Sequence, residues 1–213
     1  MKYNHEYAYW LSQFKRRNGH LSNAHFSTRM LLMTEEENDE FLRGKIFADF
    51  GCGPRGSLAW TNAPLLRIRI DVLIPDYLTS FSECMRKHDM TYITCTEKII
   101  PLQSSIIDVM LTINALDHVD AFPCMTSEIL RILKPGGLFI GSLNMNQPVT
   151  TCEPQTLTDT TVRENLLKFL NVSSYRLGKI HPTTPYKFMY ENKLSNYYKK
   201  DEQYILWIKG TKK

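Results

Sequence analysis

Two aspartates stand where a chain reversal could bring both to one ligand. Asp49 precedes Gly51 by two residues in the run Lys45-Ile46-Phe47-Ala48-Asp49-Phe50-Gly51-Cys52-Gly53-Pro54-Arg55-Gly56, and Asp71 follows Gly51 by twenty. Glycines at 51 and 53 admit positive φ and let a ligand approach the main chain closely. The apolar run Ile46 to Phe50 predicts a strand, the glycines a tight turn, and Ser57-Leu58-Ala59 the start of a helix. Free N–H groups at such a start favour an anionic group. Read loosely this is a GxGxxG nucleotide fingerprint, and Asp71 is then spaced to accept hydrogen bonds from both ribose hydroxyls on the edge of a neighbouring strand. The plainer alternative for Asp71 is a turn or cap residue. His118 has the intrinsic pKa of a general base working near neutrality, with Asp117 beside it to orient it or cap a helix. Its alternative is a helix-start histidine bonded to backbone.

These residues need a frame, and the chain has material for one. Its 213 residues suit a single domain with a full core. The net charge of +4 tolerates an anionic partner without a Lys/Arg block that would call for nucleic acid. Five scattered cysteines (Cys52, Cys84, Cys95, Cys124, Cys152) form no CxxC pair, which argues against a disulfide framework or zinc ribbon and fits a reducing, cytoplasmic setting. Cys84 and His88 share a helix face, but two ligands without a third make a poor site, so no metal is expected. The amino terminus lacks the apolar core of a signal peptide, and no apolar run reaches the ~18 residues of a membrane span.

Tyr3, Tyr7, Trp10, Leu11 and Phe14 recur at helical spacing and predict a first helix stopped near Gly19. Thr34 with Glu37 reads as a capping box, predicting a helix over 35–43 that ends at Gly44. Residues 1–44 are therefore expected to be a helical extension, packed on the sheet or closing as a lid. A short helix after the glycine turn, a strand over 65–70, and a helix from Pro75 with Leu78, Phe81 and Met85 inward come next. Tyr92 to Cys95 predicts a third strand, and Ile106 to Ile113 reads as a parallel strand buried on both faces. A helix over 122–133, a strand over 138–143, a helix over 158–170, a strand over 172–180, a Pro- and Tyr-rich insertion over 181–202 and a strand over 203–209 complete the chain. Strands alternating with helices imply an α/β, three-layer, mostly parallel sheet; the last two strands lack a full helix between them, so the final one is expected to be antiparallel.

Four segments in this order resemble the class I S-adenosylmethionine (SAM) methyltransferases, the seven-stranded Rossmann-like kind. They are Asp49-Phe50-Gly51-Cys52-Gly53-Pro54, the strand end at Asp71, Ile107-Asp108-Val109 running into Asn114-Ala115-Leu116-Asp117-His118, and Glu128-Ile129-Leu130-Arg131-Ile132-Leu133-Lys134-Pro135-Gly136-Gly137. Dinucleotide folds usually keep the position of Asp49 apolar. More narrowly, Gly53 to Leu58, Asn114 to Val119 and Glu153-Pro154 resemble a small bacterial methyltransferase subgroup. The resemblance covers roughly residues 45–155, and it implies SAM as cofactor, with S-adenosylhomocysteine as product, held by Asp49, Gly51, Cys52, Gly53, Asp71, Val72, Leu73, Thr96, Glu97 and Asn114. Arg55 departs from the commoner pattern, which has glycine there; its side chain could stay in solvent or reach cofactor or substrate.

The activity expected is methyl transfer to a small-molecule acceptor such as a metabolite, natural-product or glycan precursor. Trp10, His118, His181 and Tyr186 are the residues expected near the acceptor, with Tyr190 close by. The fourth strand ends without the Asn/Asp-Pro-Pro-Tyr/Phe motif of exocyclic base-amine methylation, and no basic stripe interleaves with aromatics, so polymeric nucleic acid is disfavoured. Two other readings stand beside this one: an NAD-dependent oxidoreductase built on GxGxxG and Asp71, and a non-catalytic module of the same fold that binds cofactor or a protein partner.

Overall fold

A computed structural model describes residues 2–213. Strands β1 (Ile46–Phe50), β2 (Leu66–Asp71), β3 (Thr91–Thr94), β4 (Ile107–Ile113), β5 (Leu133–Met145), β6 (Leu170–Lys179) and β7 (Tyr204–Lys212) form one seven-stranded sheet in the order β3-β2-β1-β4-β5-β7-β6. The first five run parallel, and β7 is antiparallel to both its neighbours. Strand order reverses between β1 and β4. In an open α/β sheet that reversal parts the loops leaving the two strands and opens a crevice at their carboxyl ends.

The sheet is covered on both faces, as its parallel strands require. On one face Met110 of β4 packs with Phe122, Met125 and Ile129 of α5 (Phe122–Ile132). On the other, Val109 and Leu111 pack with Phe26, Met30 and Met33 of α2 (His25–Thr34) and with Trp207 of β7. A third cluster joins Tyr3, Tyr7, Trp10, Leu11 and Phe14 of α1 (Lys2–Arg16) to Leu73, Tyr77 and Phe81, the latter two flanking the end of α3 (Ile74–Ser80). Phe14 meets Phe81 edge-on at 5.1 Å. The remaining helices are short: α4 (Ser82–Arg86), α6 (Asp159–Asn165) and α7 (Lys187–Tyr190).

Local structure differs from expectation in four places. Thr34 ends a helix instead of starting one: its hydroxyl bonds back to the Met30 carbonyl at 2.9 Å, and Glu35 follows in the left-handed conformation (φ 57°). Arg176 and Lys209 donate to the carbonyls of Leu32, Met33 and Thr34, satisfying acceptors that a helix end leaves free. Only a 3-10 turn, Asp39–Leu42 capped by Asn38, lies where a helix over 35–43 was expected. After the glycine turn, residues 57–60 form turns and no helix. Gly56 there is left-handed (φ +75°), and Pro64 leaves too little length for a stable helix. Leu78 is exposed and Tyr77 takes the inward place, because α3 and α4 are separate short helices rather than one. The helix expected over 158–170 stops at Asn165, followed by a 3-10 turn that leads directly into β6.

Candidate active site

β1 and β2 run in register with Asp49 opposite Arg69, so the turn after β1 lies beside the end of β2. Gly51 donates to the Ile70 carbonyl at 2.8 Å. Its φ is +70°, and a Cβ there would stand 2.1 Å from Ala115 Cβ, so only glycine lets the turn after β4 come this close. Gly53 is left-handed too, and its open side is covered by the Trp10 ring, 2.8 Å from where a Cβ would be. The space freed by both glycines is thus filled by protein, while the Gly51 backbone still faces the crevice.

Two buried side chains grip this turn from opposite polarities. Asp71 accepts from the N–H of Gly53 (3.0 Å) and of Leu73 (2.9 Å), one bond to each carboxylate oxygen. Arg69, fully buried, donates to the Cys52 carbonyl at 2.6 Å and to that of Gly53. Its guanidinium also lies over Tyr92 and against His88, whose ring in turn covers Gly56. Arg69 was not among the residues expected here. β2 carries two arginines, Arg67 and Arg69, alternating with apolar residues; Arg69, two before Asp71, is the one fully buried, and only strand register beneath the glycine turn distinguishes it from Arg67.

The crevice has two chambers. The first is lined by Phe50, Asp71, Val72, Leu73, Cys95 and Met125, with Thr96 and Glu97 at its edge. Burial pushes the Asp71 carboxyl above its ordinary range, and the N–H groups of Leu73 and Gly53 oppose the rise. Thr96 is exposed and caps its own turn by accepting from Lys98 and Ile99. Glu97 is held by Lys2 and Tyr3 of α1 and by the Asp120 N–H at 3.0 Å. Lys2 also reaches the His118 carbonyl (2.8 Å) and Asp120 (2.7 Å), which latches the start of α1 across this chamber.

The second chamber is lined by His25, Arg29, Asp49, Cys52, Arg55 and Tyr186, with Trp10 of α1 along its wall. Asp49 accepts from the Ser57 hydroxyl, and burial raises its carboxyl to about 7 against the opposing Ser57 bond and Arg69 charge. Gly51, Asn114, His118 and Glu6 line both chambers and form the boundary between them. Asn114 is left-handed (φ 50°), and its N–H donates to the Ser142 carbonyl at 3.0 Å, so the chain turns sharply into the crevice. Glu6, which accepts from Trp10 Nε1 at 2.8 Å, was not anticipated; it lies on α1 four residues before Trp10, one turn along the same face.

His118 Nε2 lies 3.8 Å from Glu153 Oε1. Asn144 organises the acids beside it: its N–H donates to Asp117 (3.3 Å) and its side-chain amide to Glu153 (3.1 Å). Burial raises the Asp117 carboxyl to about 6, with the His118 charge opposing. Asp117, His118 and Glu153 offer ligand atoms all within 4.8 Å of one another, a trio that could also hold a cation. Cys84 donates to the Gly19 carbonyl at 3.5 Å, and His88 bonds Tyr92 at 3.0 Å. Tyr186 packs on Trp207 at 5.4 Å and reaches the second chamber. His181 lines neither chamber: its Nδ1 accepts from Thr183 and Thr184, and its ring faces Phe188. Asp108, read as structural because it begins a buried strand, accepts from the Ile46 N–H and pairs with Lys134 at the far end of the sheet.

Among the described residues no helix is long and apolar enough to cross a membrane. A comparison with curated protein sequences finds no match. The family model described as a methyltransferase domain matches residues 48–141. Among solved structures, the chain is similar to one from a Haloferax volcanii complex of the Trm112 methyltransferase activator with a candidate methyltransferase (TM-score 0.66, 15% identity, 97% of each chain covered). It is similar to the geranyl diphosphate C-methyltransferase of Streptomyces coelicolor A3(2), solved with Mg2+, geranyl diphosphate and S-adenosylhomocysteine (TM-score 0.60, 15% identity, 82% of this chain and 74% of that one). It is also similar to the [4+2]-cyclase SpnF (TM-score 0.63, 14% identity, 87% and 79%). At these identities the likeness to the solved structures is one of fold. Residues 48–141 thus match a methyltransferase domain, and the sheet around them has the strand order of the class I, Rossmann-like SAM-dependent methyltransferases, which the chain resembles in fold and whose cofactor is SAM.

Proposed function

We propose that the first chamber binds SAM, that the second receives a small-molecule acceptor, and that the chain transfers the methyl group between them. The observation that carries this reading is the shared boundary at Gly51, Asn114, His118 and Glu6. Methyl transfer is an in-line displacement, so donor and acceptor must approach one carbon from opposite sides, and positioning supplies most of the catalysis. SAM brings an already activated sulfonium methyl when bound.

The residues of the first chamber fit that group. Each Asp71 oxygen spends one lone pair on a backbone N–H and keeps another for a ribose hydroxyl. Val72 and Leu73 offer an apolar face for adenine, and Thr96 and Glu97 sit at its edge. Asn114 and the Gly51 and Cys52 backbone border the methionyl part, with Gly53 fixed behind them. Asp49, on the second-chamber side of the turn, orients the loop through Ser57 or accepts from the donor's amino group. His118, facing both chambers and held near Glu153, is the group placed to take a proton from the acceptor. Trp10 and Tyr186 provide acceptor walls. Residues 45–213 then act as a SAM-binding core, and residues 1–44 close it, with α1 bridging both chambers.

Isothermal titration with SAM, followed by transfer of labelled methyl into a metabolite extract, tests the reading. Saturable binding with turnover supports it; binding without turnover favours a non-catalytic module or another reaction on the same fold, a reading to which the likeness to a [4+2]-cyclase lends weight. His118→Ala is expected to lower turnover ~10²–10⁴-fold with little change in SAM affinity. Unchanged turnover would remove His118 as the base.

A further inference from the structure

The second chamber holds cations that the protein leaves without counter-charges. Several basic side chains elsewhere are paired with acids, as in Lys134 with Asp108, Arg131 with Glu128 and Arg163 with Asp159. Arg29 and Arg55 share this chamber, yet among the described residues neither has a carboxylate within 4.0 Å. The acids that do line it are otherwise engaged: Glu6 by the Trp10 indole, Asp49 by Ser57. Arg55 Nε is buried with no hydrogen-bond partner. Both guanidinium groups lie over aromatic rings, Arg55 over Trp10 at 5.4 Å and Arg29 over Tyr186 at 4.3 Å and Phe26 at 5.5 Å. Stacking holds them in place and leaves their in-plane N–H donors free; the one such bond from Arg29, to the Tyr190 hydroxyl, is long at 3.3 Å.

Like charges gathered in a recess repel one another, and the surroundings show it. Burial, then Arg17 and Arg29 nearby, make Arg55 easier to deprotonate than an ordinary arginine. Burial and the same arginines lower His25 to about 4, so at neutral pH it is an uncharged hydrogen-bonding group on the chamber wall. An arrangement of this kind is relieved by an anion, and fixed guanidinium forks match the planar or tetrahedral oxygens of carboxylate and phosphate. A nucleic-acid backbone would need an extended basic surface; these arginines are confined to a recess roofed by α1 and bounded by Tyr186.

We infer that the second chamber is an oxyanion site: the acceptor carries a carboxylate or phosphate group, received by Arg55 and Arg29 above the rings of Trp10 and Tyr186. This rests on the methyl-transfer reading only in identifying the bound molecule as the acceptor. It also gives Arg55 a reason to stand where glycine is commoner.

The test is calorimetric titration of the full chain, with S-adenosylhomocysteine present and at low ionic strength, using inorganic pyrophosphate in one arm and benzoate in the other. One saturable site for at least one anion is expected, and the tighter of the two names the phosphate or the carboxylate class. Arg55→Gln and Arg29→Gln should each weaken it by about tenfold or more, with partial recovery in Arg55→Lys. SAM titrated into matched samples without S-adenosylhomocysteine reports whether the crevice is intact. If SAM binds and neither anion does, or both variants bind the anion as the wild type does, the oxyanion site is overturned and the methyl-transfer reading survives. If the anion binds in this arginine-dependent way but SAM does not, the methyl-transfer reading fails and the oxyanion site stands.

Discussion

The two chambers treat charge in opposite ways. Around the first, the protein satisfies its own acids: Asp71 is anchored by two backbone N–H groups, and Glu97 by Lys2, Tyr3 and the Asp120 N–H. Around the second, Arg29 and Arg55 stand stacked on aromatics, with no carboxylate within 4.0 Å among the described residues, while Glu6 and Asp49 are bonded to Trp10 and Ser57. The first is therefore shaped before any ligand arrives, because Asp71 is also a strut of the glycine turn and Glu97 ties α1 to the loop after β4. The second is completed by what enters it. A cofactor common to a whole family suits the first kind of construction, and a specific acceptor suits the second.

The largest effect should come from breaking the preformed side. Gly51→Ala places a Cβ against Ala115 at a left-handed backbone position, and should destabilise the fold by roughly 2–5 kcal/mol; chemical denaturation checks it, and a neutral outcome would mean the turn is not rigid. Arg69→Met leaves the Cys52 and Gly53 carbonyls without their buried donor and should cost about 2–4 kcal/mol while loosening SAM binding, read from the same denaturation curves and a titration.

pH sharpens the comparison further. The Asp49 carboxyl is raised in the folded state to about 7, so folded protein binds its proton more tightly than unfolded chain. Its contribution to stability therefore falls as pH rises from about 4 to about 7 and is level above that. Asp49→Asn should flatten this decline, measured as melting temperature against pH; an unchanged slope would assign the decline to other groups, Asp117 first. The smallest effect belongs to the latch. Lys2→Ala removes partly buried pairs worth about 1 kcal/mol, so SAM affinity should fall by no more than about fivefold.

Much of the preformed side was legible in sequence for physical reasons. The apolar run of β4 is buried on both faces, as its composition implied, and the separation of Gly51 from Asp71 fits two adjacent parallel strands. Other features were hidden because tertiary partners decide them. The end of α2 at Thr34 depends on Arg176 and Lys209, more than 140 residues away, whereas the local pattern imitated a helix start. The spacing of Phe26, Met30 and Met33 was the signal for α2 itself. Burial of Arg69 beneath the glycine turn follows from strand register. His181 and Tyr186 lie five residues apart in the insertion, yet only Tyr186 turns into the crevice, a choice made by Trp207 and Arg29.

The central claim is that Asp71, braced by the glycine turn, holds the ribose of SAM in the first chamber. Titration of SAM into wild type and Asp71→Ala tests it most directly. Loss of charge-assisted bonds worth ~1.5–3 kcal/mol each should weaken binding by about 10- to 100-fold, with the protein still folded. Equal affinity in both proteins, or no binding by the wild type, would contradict it.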